Sequence, residues 1–345
     1  MPLKTQLNIT EEEYRALPNI SYSDLARYER EGFSGFLSFR EKEDTASLLF
    51  GSAVDTYLTE GIKAFDDKYY TMGSVSVTGK MAGIIEKLAK TSSSDTLSNV
   101  TTTEWVDAFK EFEFYPNLKF ETKRSKFFDN DNSCEYEMLY KTLRKNKNKT
   151  FIAEDVYDNI IETANALKYD KFTGFLFNKS NRYEILYQTK LAGTFGGVPY
   201  KCMADILVID HGNKCVIPFD LKTSSHLECE FYESFMRWRY DIQARLYWKL
   251  IRANLNASGM SDYELKDYKF VIISSKKDRN IPLIWNFENT QYPASLYYNG
   301  QELRHPFNIG YELFQLIQSR AILPGSISRE KPNNIEDFLK ITTTM

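Results

Sequence analysis

Two aspartates and a lysine stand at the ends of two neighbouring apolar segments of the sequence. Asp205 lies near the start of the first segment, and Asp220 and Lys222 end the second. A Gly-Asn turn at 212–213 separates the segments, so a hairpin would bring Asp205 back beside Asp220. Side chains alternate along a strand, and Asp220 and Lys222 therefore share one face. Because two close carboxylates repel unless a cation lies between them, the pattern predicts a site for Mg²⁺ or Mn²⁺ with Lys222 beside it.

A helix predicted at about 232–254 carries polar side chains that could act at the same site. Gln243 and Tyr247 are one turn apart on one face, where they could hydrogen-bond a phosphate group or orient Lys222 and a water molecule. The helix also has a basic flank, for which contact with phosphates and an ordinary solvated face both stay open. The flank consists of Arg237, Arg239, Arg245, Lys249 and Arg252.

Taken together, these residues resemble the PD-(D/E)xK nuclease superfamily in its RecB-like branch, and most of all the phage-type exonucleases such as exodeoxyribonuclease VIII and lambda exonuclease. Asp205, the segment Asp220-Leu221-Lys222-Thr223 and Gln243-x-x-x-Tyr247 carry the resemblance. Two further segments support it. Glu184 matches the acidic residue that precedes a hairpin of the form tGvp-K-x-x-D, and residues 50–55 match a segment that usually reads G-x-x-x-H, with Asp55 here in place of the metal-binding His.

The resemblance implies metal-dependent hydrolysis of DNA phosphodiester bonds from duplex ends, in phage-type recombination or DNA end processing. It implies that Mg²⁺ or Mn²⁺ is held by Asp205, Asp220 and the Leu221 carbonyl, with Glu184 or Asp55 as a further ligand. The implied partners are DNA, a single-strand annealing protein and further copies of the chain. For Glu184 an ion pair with a nearby Lys or Arg stays open, and for Asp55 an ordinary charged position on a helix surface.

Two other functions stay open at this point. One is a structure-specific or single-strand endonuclease of the same fold, because the residues that would set polarity and end preference are not identified by any pattern in 1–150. The other is a non-catalytic DNA-binding or assembly protein on a nuclease fold. Asp55 in place of His favours the second alternative, whereas the intact Asp205, Asp220 and Lys222 argue against it.

The strands and helices predicted to position these residues indicate an α/β fold, with a mixed central sheet flanked by helices and an N-terminal helical region. Hydrophobic periodicity predicts strands at about 182–190, 199–210 and 214–222 and a last hairpin at 268–276 and 281–287. The predicted organisation is an N-terminal helical region that contributes to the active site (1–60), a helical insert (61–150), the nuclease core (151–322) and a tail (323–345).

Composition limits the class of protein. The net charge of −3 excludes a uniformly basic coat for nucleic acids but not a local basic surface. Cysteines at 134, 202, 215 and 229 have no C-x-x-C spacing, so no zinc is expected, and none lies near the N-terminus, so no iron-sulfur cluster of the RecB-like kind is expected. Because no signal peptide or membrane-spanning segment is predicted, we expect a cytoplasmic protein, or one that acts in the host cytoplasm if a phage encodes it.

Overall fold

The chain divides into two units, as a computed structural model of the protein shows. The structure describes residues 3–38, 45–72, 77, 79–224, 226–277, 279–288, 290 and 295–319. The first unit comprises residues 1–59 and 162–345, and the second comprises residues 60–161. The predicted insert at 61–150 falls within the second unit, and the predicted tail at 323–345 lies outside the described residues.

Helices predominate in the first half of the chain, and most strands lie in the second half. The helices are α1 (Glu11–Ala16), α2 (Tyr22–Leu37), α3 (Ala46–Thr59), α4 (Ile62–Lys68), α5 (Gly79–Thr91), α6 (Thr102–Glu111), α7 (Phe120–Phe128), α8 (Ser133–Lys145), α9 (Glu154–Tyr169), α10 (Phe231–Trp238), α11 (Tyr240–Ala257) and α12 (Pro306–Ser319). The strands are β1 (Tyr69–Tyr70), β2 (Thr150–Phe151), β3 (Glu184–Phe195), β4 (Val198–Asp210), β5 (Cys215–Ser224), β6 (Glu264–Leu265), β7 (Lys269–Ser274), β8 (Leu283–Asn286), β9 (Tyr297–Tyr298) and β10 (Gln301–Glu302).

The first unit is built on a mixed sheet with the strand order β3-β4-β5-β7-β8, and the short β6 pairs with β5. Neighbouring strands are antiparallel except that β5 runs parallel to β6 and β7. The mixed sheet in an α/β fold, with β3, β4 and β5 near the predicted positions, confirms the predicted fold class. The turn between β4 and β5 spans residues 211–214, and the β7–β8 hairpin extends the sheet as expected.

Apolar side chains on one stripe of α11 fix the position of this helix against β3 and β4. Ile242, Leu246 and Leu250 recur at helical spacing and are completely buried. Burial of each such side chain stabilises the fold by about 1.5–3 kcal/mol. Packing of this stripe against the sheet therefore fixes the rotation of α11 about its axis, and with it the positions of the neighbouring polar side chains.

The single helix predicted at 232–254 is wrong, because the chain breaks between α10 and α11. Arg239 adopts a left-handed conformation with φ 57° and ψ 44°, which a side chain with a Cβ adopts only at a cost of about 1–2 kcal/mol. Ion pairs offset this cost. Arg239 Nε donates to Asp241 at 2.9 Å, and its Nη1 donates to Glu29 of α2 at 2.8 Å. The break is thus set by a contact with a distant segment of the chain.

Residues 60–161 form a helical unit with a core of its own. Helices α5, α6 and α8 bury Ile85, Leu88, Trp105 and Tyr140 completely. Strands β1 and β2 pair in parallel in the same unit. In the described ranges no helix is both long and apolar enough to span a membrane.

Candidate active site

The pairing between β4 and β5 ends next to the two aspartates, and we call this end of the hairpin the opening. Its last pair is Ile206 with Phe219, and Asp205 and Asp220 are the next residues on the two strands. Beyond this point β5 continues in register with β7. The backbone N–H of Leu221 donates to Asp205 Oδ2 at 3.0 Å, so the Asp205 carboxylate lies at the opening. The predicted hairpin therefore does bring the two aspartates together.

Both carboxylate oxygens of Asp220 have a polar contact. Asp220 is completely buried, and Lys222 Nζ lies 2.5 Å from its Oδ2. Gln243, near the start of α11, donates from Nε2 to Oδ1 at 2.5 Å. Strand alternation and the apolar stripe of α11 thus bring two of the predicted residues, Lys222 and Gln243, into contact with the Asp220 carboxylate.

The carboxyl group of Asp205 has an unfavourable environment for its negative charge. Desolvation raises its pKa most, and the negative charges of Asp220 and Asp55 raise it further, although Lys222 and the Leu221 N–H act in the opposite direction. The net result is a pKa well above the ordinary value for aspartate. A cation placed among these carboxylates would relieve the repulsion.

Lys222 keeps its positive charge at this site. Its burial acts to lower the pKa, but the charge of Asp220, followed by Tyr240 and Asp205, outweighs burial and raises the pKa of Lys222 above its ordinary value. The side chain is therefore an ammonium ion at neutral pH. In this arrangement it can offset negative charge or donate a hydrogen bond, but it cannot accept a proton.

Helix α3 carries Asp55 to the same region through a close approach at Gly51. A Cβ atom on Gly51 would lie 2.8 Å from the side-chain oxygen of Thr223, so this position has room only for glycine without a rearrangement. Asp55 follows one turn later, on the face shared with Gly51 as the sequence predicts. Its charge raises the pKa of Asp205, which shows that the two carboxylates interact.

Gln188 is a site residue that sequence reasoning missed. It lies on β3 between the Tyr187–Ile206 and Thr189–Ala204 pairs, opposite Asp205, and has a left-handed φ of 47°. Its Nε2 donates to Asp55 Oδ2 at 2.8 Å. The two-residue turn at 196–197 contains the signal that would have found it, because counting back from this turn fixes the register of β3 on β4.

Tyr247 lies one turn after Gln243 on α11, and both side chains are buried. Desolvation raises the pKa of Tyr247 well above its ordinary value, and among the smaller contributions are the charges of Asp220 and Asp205. Of the predicted pair, Gln243 contacts Asp220, and Tyr247 packs at 6.3 Å from the ring of Tyr268. The role of this pair in a reaction stays a prediction.

Glu184 does not join this cluster, contrary to the sequence prediction. It is the first residue of β3 and lies opposite Ile209, four residues along β4 from Asp205. At about 3.3 Å per residue this separation is about 13 Å. The Glu184 carboxylate instead contacts His211 Nε2 at 2.7 Å, at the far end of the hairpin. An acidic residue that precedes the hairpin in the sequence is thus not the residue that meets Asp205.

The basic flank predicted on the 232–254 helix is also corrected in part. Arg239 and Arg245 are only 6% exposed. Arg239 is held by carboxylates, and Arg245 lies over the Phe287 ring at 5.7 Å, so neither presents its guanidinium to a ligand at the surface. Arg237 and Lys249 are exposed and stay candidates for phosphate contacts.

The donor set at the opening fits a divalent cation that prefers oxygen ligands. Asp205, Asp220 and Asp55 supply carboxylates, and the Gln243 Oε1 atom is buried without a hydrogen-bond donor among the described residues. In the described part of the chain, no three His, Cys, Asp or Glu side chains are grouped closely enough to form a metal site as they stand. A cation at Asp220 would compete with Lys222 and Gln243 for its oxygens.

Comparisons with known proteins identify a family for the chain. A family model described as "PDDEXK-like domain of unknown function (DUF3799)" matches residues 22–282, which is more than half of the chain. A solved structure described as a "putative exonuclease" from Eubacterium rectale is 12% identical and covers 97% of this chain and 86% of its own, with a TM-score of 0.40. Similarity at this level carries no argument about function. No curated protein matches the sequence.

Proposed function

The chain belongs to the DUF3799 family of PDDEXK-like domains, and from this premise we propose that it is a metal-dependent nuclease that hydrolyses phosphodiester bonds of DNA. The observation that carries the proposal is the opening of the β4–β5 ladder at Asp205 and Asp220, with the Lys222 ammonium in contact with Asp220. Burial, together with the charges of Asp220 and Asp55, raises the pKa of Asp205, and carboxylates perturbed in this way are concentrated at functional sites.

The residues at the opening have different roles in the proposed hydrolysis. Asp205, Asp220 and the Leu221 carbonyl would hold Mg²⁺ or Mn²⁺, with Asp55 as a further carboxylate. When bound, such an ion lowers the pKa of a water ligand and stabilises negative charge on the phosphate.

The other side chains orient the reactants. The Lys222 ammonium offsets the negative charge that develops on the phosphate and holds the attacking water by a hydrogen bond. Gln243 fixes the Asp220 carboxylate through its 2.5 Å hydrogen bond. Tyr247, one turn further on, carries a phenolic hydroxyl whose pKa is raised by burial, and this hydroxyl can donate a hydrogen bond to the substrate.

Within this class, we propose an exonuclease that digests DNA from duplex ends with Mg²⁺. The resemblance of the Asp220-Leu221-Lys222-Thr223 and Gln243-x-x-x-Tyr247 segments to phage-type exonucleases supports this choice. The same resemblance supports a role in recombination or end processing, a single-strand annealing protein as partner and association of several copies of the chain.

The deciding experiment compares three DNA substrates with the purified chain. End-labelled linear duplex, covalently closed circular DNA and single strands are incubated with Mg²⁺, with Mn²⁺ and with EDTA, beside Lys222→Ala. We expect metal-dependent digestion of the linear duplex, no nicking of the circle and no digestion by Lys222→Ala. Lys214→Ala is the matched control, since Lys214 lies at the exposed turn of this hairpin and is also paired with an aspartate, Asp262.

The other outcomes discriminate between the alternatives. Nicking of the closed circle would identify an endonuclease and contradict the exonuclease. Binding of DNA without cleavage in either metal would contradict the nuclease and favour a non-catalytic protein. Full cleavage by Lys222→Ala would show that the site lies elsewhere in the molecule.

A further inference from the structure

Trp238 is an exposed aromatic residue between two arginines. It ends α10, and 42% of its surface is exposed. The Arg30 guanidinium lies 5.3 Å from the Trp238 ring, and that of Arg237 lies 5.5 Å from it. Both arginines are themselves exposed. An exposed indole with cations beside it has the chemistry that recognises a flat ring attached to phosphates.

The position of Trp238 is fixed by buried ion pairs rather than left to a mobile surface. Arg239, the next residue, holds the left-handed turn through Asp241 and Glu29. Glu29 immediately precedes Arg30 on α2, and so the same ion pair joins the backbone that carries Arg30 to the backbone that carries Trp238. The break between α10 and α11 therefore has a consequence: it presents Trp238 and Arg30 together.

A line of aromatic contacts connects Trp238 with the candidate active site. Lys222 Nζ lies 4.6 Å from the centre of the Tyr240 ring. The rings of Tyr240 and Tyr22 are 6.3 Å apart, and the Tyr22 hydroxyl donates to the backbone carbonyl of Trp238 at 2.8 Å. Burial raises the pKa of Tyr240, and the positive charges of Lys222 and, to a smaller extent, Arg30 act to lower it. Trp238 thus lies at the border of the site.

We propose that Trp238 stacks on an unpaired base of the DNA strand that enters the site, while Arg30 and Arg237 bind the phosphates beside this base. The substrate class that follows is DNA with unpaired nucleotides next to the scissile bond, such as a frayed or single-stranded end. This inference rests on the proposed nuclease function for the role of the strand, but the binding itself is measurable without cleavage.

Stacking explains the combination of side chains better than a purely electrostatic contact. Arginines alone suffice to bind a duplex backbone, whereas an exposed indole adds affinity only when a base is free to lie on it. A second copy of the chain covering Trp238 is the main alternative, and it predicts that Trp238→Ala disrupts a dimer rather than DNA binding.

The test measures binding of a fluorescent oligothymidylate by anisotropy in EDTA, where cleavage does not occur. Trp238→Ala is expected to raise the dissociation constant by about 5- to 150-fold, the range that loss of one base–aromatic stack produces. Trp238→Phe keeps an aromatic face and is expected to bind nearly as wild type. Tyr169→Ala removes a more exposed aromatic side chain from α9 and is the matched control, with no expected effect.

An abasic oligonucleotide of the same length isolates the stacking contribution. It retains the phosphates but offers no base, so wild type and Trp238→Ala should bind it equally. Arg30→Ala and Arg237→Ala should weaken binding of both oligonucleotides, and each should reduce the slope of log affinity against log salt by about 0.7.

Three results would overturn the proposal: equal affinity of wild type and Trp238→Ala for oligothymidylate, an equal loss on the abasic strand, or loss of a dimer in Trp238→Ala with unchanged DNA affinity. The last result would assign Trp238 to a contact between copies. Binding through Trp238 by a protein that cleaves no DNA would leave this inference standing and contradict only the nuclease function.

Discussion

The two ends of the β4–β5 hairpin both carry aspartates, but their surroundings act on them in opposite ways. At the opening, desolvation and the charges of Asp220 and Asp55 raise the pKa of Asp205. At the turn, the backbone N–H and side-chain amide of Asn213 bind Asp210 at 3.0 and 2.9 Å and lower its pKa. The two residues are five positions apart on one strand.

This difference in environment distinguishes carboxylates that stabilise the fold from carboxylates that are available to bind a metal ion or a substrate. Asp210 accepts a hydrogen bond from the N–H of a turn residue, and Glu184 contacts His211, so the acidic groups at the turn have hydrogen-bond partners within the protein. A cavity of about 690 Å³ lies beside them, but its volume alone does not make it the active site. At the opening, by contrast, Asp220 and Asp205 both act on the Lys222 ammonium, and Asp55 adds a further negative charge beside Asp205, so that a cation would relieve the repulsion among them.

The largest expected difference between the two ends is in DNA cleavage. Asp220→Asn should lower the cleavage rate by about 10³-fold, because it removes both a proposed ligand and the partner of Lys222. Asp210→Asn, the matched change at the turn, should leave the rate close to wild type. Initial rates on end-labelled DNA measure both, with circular dichroism as the control for folding. Retained cleavage in Asp220→Asn would contradict the assignment of the opening as the active site.

Stabilisation by metal ions should also separate the two ends. A ligand present at 100 times its dissociation constant stabilises the folded state by about 2.7 kcal/mol, so Mg²⁺ or Mn²⁺ should raise the melting temperature of the wild type relative to EDTA. Asp205→Asn should lose this increase, Asp55→Ala should require more metal to reach it, and Glu184→Gln should keep it. Thermal melts over a range of metal concentrations provide the measurement. Loss of the metal effect in Glu184→Gln would restore Glu184 as a ligand.

The pH dependence of stability should have opposite signs at Asp205 and Asp210. The folded-state pKa of Asp205 is raised, so the metal-free protein loses stability as pH rises through the interval from the unfolded to the folded pKa. Asp205→Asn should therefore melt a few degrees above wild type at pH 8, and the difference should shrink as the pH falls.

The lowered pKa of Asp210 gives stability that is present above its unfolded pKa and lost as pH falls through its folded pKa. Asp210→Asn should therefore melt below wild type at neutral pH and approach it in acid. Melts of the two variants in EDTA across this pH range check both signs. A higher melting temperature for Asp210→Asn than for Asp205→Asn at pH 8 would contradict the comparison.

Much of the candidate active site at the opening could be predicted from the sequence, because its determinants are local. The Gly-Asn turn and two apolar runs predict the hairpin, and strand alternation places Lys222 beside Asp220. Helical spacing places Gln243 and Tyr247 on one face. The sequence prediction placed Glu184 at the site, although counting back from the turn at 196–197 pairs Glu184 with Ile209.

Other features depend on contacts that no local pattern encodes. The break at Arg239 is stabilised by Glu29, which is 210 residues away in the sequence. Arg245 has the same residue type as an exposed Arg237, but packing on Phe287 decides that it is buried. The proximity of Trp238 and Arg30 follows from the same long-range junction.

The smallest expected effect is that of Glu184→Gln on stability. The contact between Glu184 and His211 is solvent-accessible, with 25% of the Glu184 side chain and 48% of the His211 side chain exposed, and surface contacts of this kind contribute about 0–1 kcal/mol. Glu184→Gln should therefore lower the free energy of unfolding in urea by less than about 1 kcal/mol at low salt, and by less still at high salt. Lys214→Ala, which removes the exposed ion pair with Asp262, is the control of similar size. A much larger loss of stability in Glu184→Gln, or a loss of cleavage in this variant, would mean that residues at the turn contribute to the candidate active site at the opening.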